Sequence, residues 1–304
     1  MMTRMRETDK VMKENTTFVA IDWSGSRGQR HRSIAVARCG AGTTAPHIVL
    51  PVEKRGWSRR AVLDWILALE KAGEEVLIGF DFSFSLPFLD YGAYLPGLRQ
   101  GPEDVAALWR FVEEICADAP DYYAGNMAAH PVLCTYFHRP GHRGDRYERR
   151  LRQTEIATLA QGAGRAESVF HLIGPSQVGL GSFAGMRMLR ALKRRCPEIA
   201  IWPWDKRRRH GVTLVEIYTR AFLALAGRGS RKIRNWNDLD QALARLGSGP
   251  VSEKVRAIAA NDHLSDAILS AAGLRHIAES VAYWKPQSAS PRGLKYEGWT
   301  FGIR

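Results

Sequence analysis

FVAIDWSG at residues 18–25 and VLIGFDFSF at residues 76–84 decide how this chain reads. Each is a run of β-branched, aromatic and small apolar residues that closes on an aspartate, Asp22 in the first and Asp81 in the second. Runs of this composition form buried strands. An acid at the end of one is carried from the core to the sheet edge, where its charge costs free energy unless a cation or donors meet it. Two such strands side by side would make a site for a divalent metal. Taken singly, each aspartate reads equally as the cap of the turn after its strand, since Asp is a common turn residue.

Working outward, RSIAVARC at 32–39 and HIVLPVE at 47–53 are two further strand signals. The connections GSRGQRH and GAGTTAP are short and turn-forming, which predicts an antiparallel meander of strands one to three. SRRAVLDWILALEKAG at 58–73 repeats apolar residues at Val62, Trp65, Ile66 and Leu69, opens on a capping Ser58 and ends on Gly73, the pattern of an amphipathic helix. A helical crossover lets strand four run parallel to strand one, so that Asp22 and Asp81 become neighbours. By the two-residue period Phe18, Ala20 and Asp22 share one face, as do Leu77, Gly79 and Asp81, with Gly79 leaving room beneath the acid.

Residues from about 88 to 168 are the least regular, with one helix signal in GPEDVAALWRFVEEICADA. Aromatics, histidines and arginines interleave after it, a composition open between a nucleic-acid surface that stacks bases and holds phosphates through Arg139, Arg143 and Arg149, and a solvated basic loop. GPSQVGLGS at 174–182 opens a helix, MRMLRALKRRC, whose first amides could hold an anion; it reads equally as a tight turn with Ser182 as N-cap. It matches neither the P-loop nor the dinucleotide fingerprint. IAIWPWD and TLVEIYT follow, and the second embeds a third acid, Glu216, in an apolar strand. Lys206, Arg207, Arg208 and Arg209 lie between them, either to neutralise phosphates near the acids or as a solvated turn. SEKVRAIAANDHLSDAILSAAGLRHIAES at 252–280 reads as helical almost throughout. Asp262 and Asp266, four apart, share a face there and call for a cation or a basic partner.

With 304 residues, 45% of them hydrophobic and 10% aromatic, the chain has ample material for a core, which excludes a disordered protein. Its 44 Lys and Arg against 31 Asp and Glu give a formal charge of +13, favouring an anionic partner such as nucleic acid. Cys39, Cys116, Cys134 and Cys196 lack the close pairing of a zinc site or redox dithiol and read as core or incidental thiols of a reducing compartment. The N-terminal stretch has no apolar signal-peptide core, and no apolar run nears the roughly 18 residues of a membrane span. The expectation is a cytoplasmic protein without membrane contact. Residues 1–16 would be a loose leader, and 17–304 one domain carrying an insertion at about 88–168.

The ordered set VAIDWSG, GFDFSFSLP, LVEIYTR, NDHLSDAILSAAGL and EGWTFGI resembles a family of predicted nucleases of the ribonuclease H fold, known as domain of unknown function 429. The likeness runs from about Phe18 to the C-terminus. It implies a ribonuclease H-like α/β domain: a mixed five-stranded sheet, strands one to three antiparallel and strands four and five parallel to strand one, flanked by helices with a helical insertion. By motif position it places the superfamily's catalytic acids on Asp22, Asp81 and Asp266, with Asp262 as a possible second helix acid. Glu216 falls on the family's own Glu-hydrophobic-Tyr element, where members often carry proline after the aromatic and this chain has Thr219. The resemblance implies Mg²⁺ or Mn²⁺ held by Asp22, Asp81 and Asp266, and hydrolysis of phosphodiester bonds in DNA or RNA. Two other readings stay open: an actin-like phosphotransferase, since Asp22, Ser24 and Gly25 also suit a phosphate-binding first strand, and a nucleic-acid-binding protein without catalysis.

Overall fold

A computed structural model describes residues 12, 15–174, 177–229, 231–258 and 261–304. Strand β1 (Thr17–Asp22) pairs antiparallel with β2 (Ala35–Cys39), which pairs antiparallel with β3 (His47–Ile48). Helix α1 (Arg59–Lys71) then crosses over, and β4 (Val76–Phe80) lies parallel to β1 with Ile21 opposite Phe80. Ser58 caps α1, its hydroxyl accepting from the Ala61 N–H at 3.0 Å, and Gly73 takes the left-handed turn after it at φ +70°.

Beyond β4 come α2 (Val105–Ile115), α3 (Gly125–Ala129), a separate hairpin of β5 (His138–Arg139) and β6 (His142–Arg143), and α4 (Gln153–Ala160). Helix α5 (Gly179–Arg195) leads to β7 (Ala200–Ile201) and β8 (Val212–Glu216), which pair parallel to each other, β8 also pairing parallel to β4. The sheet is therefore mixed and six-stranded, ordered β3-β2-β1-β4-β8-β7, one strand more than the sequence suggested, because IAIWPWD and TLVEIYT each supply one. The chain ends through α6 (Thr219–Leu225), α7 (Trp236–Arg245), α8 (Glu253–Arg256), α9 (Asp262–Ala278), α10 (Val281–Trp284) and α11 (Pro291–Tyr296).

Two expectations about helix ends are corrected. The segment 252–280 divides into α8 and α9, because the Asn261 side chain accepts from the Leu264 N–H at 2.9 Å and so starts a new helix. Ser182 is not an N-cap. Helix α5 begins at Gly179, and the Ser182 hydroxyl donates to Val178 O at 2.9 Å while accepting from the Ser83 N–H at 3.1 Å. Pro175 and Ser176 of that loop lie outside the described residues, as does most of the stretch 1–16; of it, Met12 and Thr16 are buried against the core.

The pleat sorts the core into two layers. Val19, Ile21, Ile78, Phe80, Val212 and Leu214 face α1, α2 and α5. Phe18, Ala20, Leu77, Val215 and Ile217 pack with the apolar side of α9 and with α6. Among the described residues no helix is long and apolar enough to cross a membrane.

Candidate functional site

Asp22 continues the Phe18–Ala20 face of β1 and Asp81 the Leu77–Gly79 face of β4, so by the two-residue period both leave the sheet on the α9 side. The backbone locks them side by side, with the Asp81 N–H donating to Ile21 O at 3.1 Å. Asp266 stands in the second turn of α9, the helix packed across β1 and β2. Three acids from three elements thus meet beyond the C-terminal ends of parallel strands. Gly79 does not leave an empty space beneath Asp81, because a Cβ there would fall 2.7 Å from the Ile217 side chain, which occupies it.

The electrostatics follow from that crowding. Burial raises Asp81 to about 8, the nearby charges of Asp22 and Asp266 adding to it, and only the Thr219 hydroxyl, donating to Oδ2 at 2.9 Å, pulls the other way. Burial and then Asp22 bring Asp266 to about 7. Burial also raises Asp22, against the pull of His263, whose Nδ1 lies 2.6 Å from its Oδ2. His263 is raised in turn by that hydrogen bond, which favours its imidazolium. In chemical character the carboxylates suit a hard divalent ion. Their present rotamers turn Asp22 to His263 and Asp81 to Thr219; among the described residues no three His, Cys, Asp or Glu side chains are disposed to hold one ion together.

Glu216 is not brought to this site. On β8 it shares the parity of Val212 and Leu214, so it leaves the opposite face of the sheet. There Arg152 grips it, Nη1 to Oε2 at 2.8 Å and Nη2 to Oε1 at 2.5 Å. The Phe84 N–H and the Thr300 hydroxyl donate at 2.7 and 2.8 Å, while Arg152 also holds Glu155. Oxygens filled in this way bind a strand to the C-terminal segment. Asp262 lies at the rim, exposed and paired with Lys232 at 2.8 Å, and that partner holds it below the usual carboxylate range.

The basic run 206–209 is also elsewhere. It precedes β8, so it borders the end of the sheet opposite the acids, roughly 17 Å away along a five-residue strand. Arg208 is paired with Glu70 at 2.5 Å and Arg207 with Glu75 at 3.4 Å, which fixes them as ties between the β7–β8 loop and the α1–β4 corner. Lys206 and Arg209 remain exposed. Between β4 and α5, Arg139 and Arg143 lie on the β5–β6 hairpin, Arg143 over the Tyr147 ring at 5.2 Å, and Arg149 is paired with Glu167 at 3.0 Å.

The cations that do reach the acids are His263 and Lys232, neither singled out by the sequence. RKIRN at 231–235 is a basic run like 206–209, and His263 stands between Asp262 and Asp266 in the quoted motif. The loop leaving β1 is braced from below: Arg59 Nε donates to Ser24 O at 2.9 Å and Nη2 to Ser26 O at 2.7 Å. Asp121 accepts from the Arg59 and Arg60 N–H groups at 3.0 and 2.9 Å and contacts His31. The same loop presses on the start of α5 so closely that a Cβ on Gly25 would lie 2.3 Å from Gly181 N. Asp22 therefore sits on a rigid support. Neither a family model, nor a curated protein, nor a solved structure matches the chain.

Proposed function

We propose that this chain is a metal-dependent nuclease of the ribonuclease H-like type, hydrolysing phosphodiester bonds of DNA or RNA. The observation that carries the reading is the meeting of Asp22, Asp81 and Asp266 on one face, beyond the carboxyl ends of β1 and β4, where open α/β sheets bind their ligands. The meander, the α1 crossover to a parallel β4 and the final long helix against β1 support the ribonuclease H-like assignment. The formal charge of +13 supports a polyanionic substrate.

Asp22, Asp81 and Asp266 would hold Mg²⁺ or Mn²⁺. When bound, such an ion polarises the phosphate and lowers the pKa of a water in its shell. The chain's own residues prepare the place. His263 Nδ1 lies 2.6 Å from Asp22 Oδ2 and pulls against the rise that burial causes there, so it orients that carboxylate and favours its anionic form. Thr219 orients Asp81 through its hydroxyl.

The test is cleavage of a panel of DNA and RNA substrates with and without Mg²⁺ or Mn²⁺. Asp22→Asn, which keeps the size and loses the charge, should abolish metal-dependent cleavage without changing the circular dichroism spectrum. Paramagnetic resonance of free Mn²⁺ should separately show tight binding to wild type and weakened binding to the variant. ATP-dependent phosphorylation of a small molecule with no cleavage across the panel would replace this reading by the phosphotransferase one.

A further inference from the structure

The insertion encloses a pocket of about 420 Å³ away from the acidic site, lined by Tyr91, Tyr136, Phe170, Asp145, Arg146 and Glu148 among others. That volume falls within the range of small-molecule sites, about 300–1,000 Å³. Of its rings only Tyr91 is open to solvent; Phe170 and Tyr136 are buried, as is Arg150. Arg150 lies over the Tyr91 and Phe170 rings at 5.2 and 5.4 Å, and Arg146 over Tyr136 at 5.7 Å.

The polar groups divide into those already used and those still offered. Arg150 is spent on the frame, donating to Asp90 through Nε and Nη2 and to Tyr94 O, Pro87 O and Ala93 O. The Tyr136 hydroxyl donates to Pro96 O at 2.7 Å and accepts from Arg146 Nη1, which also reaches Gly97 O. That leaves Arg146 Nε and Nη2 without a partner among the described residues. Tyr91 donates to Glu148 Oε2 at 2.7 Å, leaving Oε1 free. Asp145 is exposed and has no hydrogen bond or ion pair among the described residues.

A ligand for this set would lie flat on the Tyr91 ring and offer both donors to the carboxylates and acceptors to the guanidinium. A simple cation is opposed by Arg146 and Arg150 on the same walls, and a simple anion by Asp145 and Glu148. Among nucleobases, guanine has both edges: N1–H and N2–H₂ for the carboxylates, O6 and N7 for an arginine fork. Adenine places an acceptor at N1, where a carboxylate would repel it. We propose that this pocket binds an unstacked guanine base, stacked on the exposed Tyr91 ring as single-stranded bases commonly stack on aromatic side chains. The pocket deepens the nucleic-acid reading given above, and through it the protein would prefer single-stranded or looped guanine-containing substrates.

The experiment titrates the full-length protein, without metal, with guanosine, GMP, AMP and inorganic phosphate, by calorimetry and intrinsic fluorescence. Guanosine and GMP should bind similarly, at least about tenfold more tightly than AMP, the equivalent of about 1.4 kcal/mol. Phosphate should not compete. Tyr91→Ala, at a side chain 55% exposed and so safe for folding, and Asp145→Asn with Glu148→Gln should each weaken guanosine binding at least about fivefold. Asp22→Asn should leave it unchanged. Failure to bind guanosine at millimolar concentration, equal affinity for AMP, or unchanged affinity in both variants overturns the proposal. Metal-dependent cleavage abolished by Asp22→Asn would survive any of these results, so the two readings fail separately.

Discussion

Replacing Asp81 by Asn should make the apo-protein more stable at pH 8 while removing an acid that the proposed chemistry needs. Burial and the neighbouring aspartates lift this carboxyl from an ordinary 3.8 to about 8 in the folded chain. A group that binds its proton more tightly when folded favours folding at low pH. That contribution is complete below the unfolded value near 4 and is lost as pH rises toward about 8. At 1.36 kcal/mol per pH unit the ceiling on the loss is about 5–6 kcal/mol. Asp81 is partly exposed and shares its charge problem with Asp22 and Asp266, so a loss of about 1–3 kcal/mol is expected. Asn keeps the acceptor for the Thr219 hydroxyl and carries no charge. In thermal unfolding with chelator present, the variant should therefore melt about 2–6 °C above wild type at pH 8 and level with it near pH 4. Excess Mn²⁺ should raise the wild type and not the variant, since only an ion that prefers the folded state stabilises it. A variant no more stable than wild type at pH 8 in chelator would refute the argument that these carboxylates strain the apo-fold.

The opposite result is expected at Glu216: Glu216→Ala leaves the Phe84 N–H buried without its partner and Arg152 with Glu155 and Glu297 O alone, and should cost about 2–4 kcal/mol in urea unfolding, at every pH between 6 and 8. A full-stability Glu216→Ala protein that has lost only cleavage would return this residue to the chemistry. On the basic surface, neutralising Arg139, Arg143 and Arg149 should flatten the salt dependence of nucleic-acid binding, by about 0.9 in the logarithmic slope for each duplex phosphate no longer neutralised. Neutralising Lys206 and Arg209, at the far end of the sheet, should leave the slope unchanged. Slopes reversed between the two sets would place the nucleic-acid path along the β7–β8 loop instead.

Much of the fold was legible because the first 80 residues carry their signals locally. A continuous apolar run marked β1, the turn-forming GSRGQRH and GAGTTAP fixed the meander, and Ser58 with Gly73 bounded α1. Where the information was tertiary, the reading slipped. Nothing local tells that Gly179 can begin a helix; what allows it is the absence of a side chain where Val169 O would stand 2.2 Å from a Cβ. Asn261 starts a new helix inside a stretch whose propensities are helical throughout, its side chain accepting from the Leu264 N–H, while the helix before it has already ended at Arg256. The β5–β6 hairpin at 138–143 is too short for alternation to be seen at all.

The same contrast runs through the acids. Asp22 and Asp81 could be placed together because strand parity and one crossover suffice to do it, and both are backbone properties. Glu216 looked equivalent, an acid in an apolar strand, yet parity counted along β8 sends it with Val212 and Leu214 to the opposite face, where Arg152 was waiting 64 positions back in the chain. Burial of an acid therefore has two opposite resolutions. Glu216 is surrounded by donors and a guanidinium, and its charge is used up in holding strand to C-terminus. Asp81 is surrounded by Asp22 and Asp266 with one hydroxyl in attendance, and its charged form is disfavoured. The sequence marks both as buried acids. Only the partners, distant in the chain and close in space, separate the acid met by a guanidinium from the acid crowded by other carboxylates.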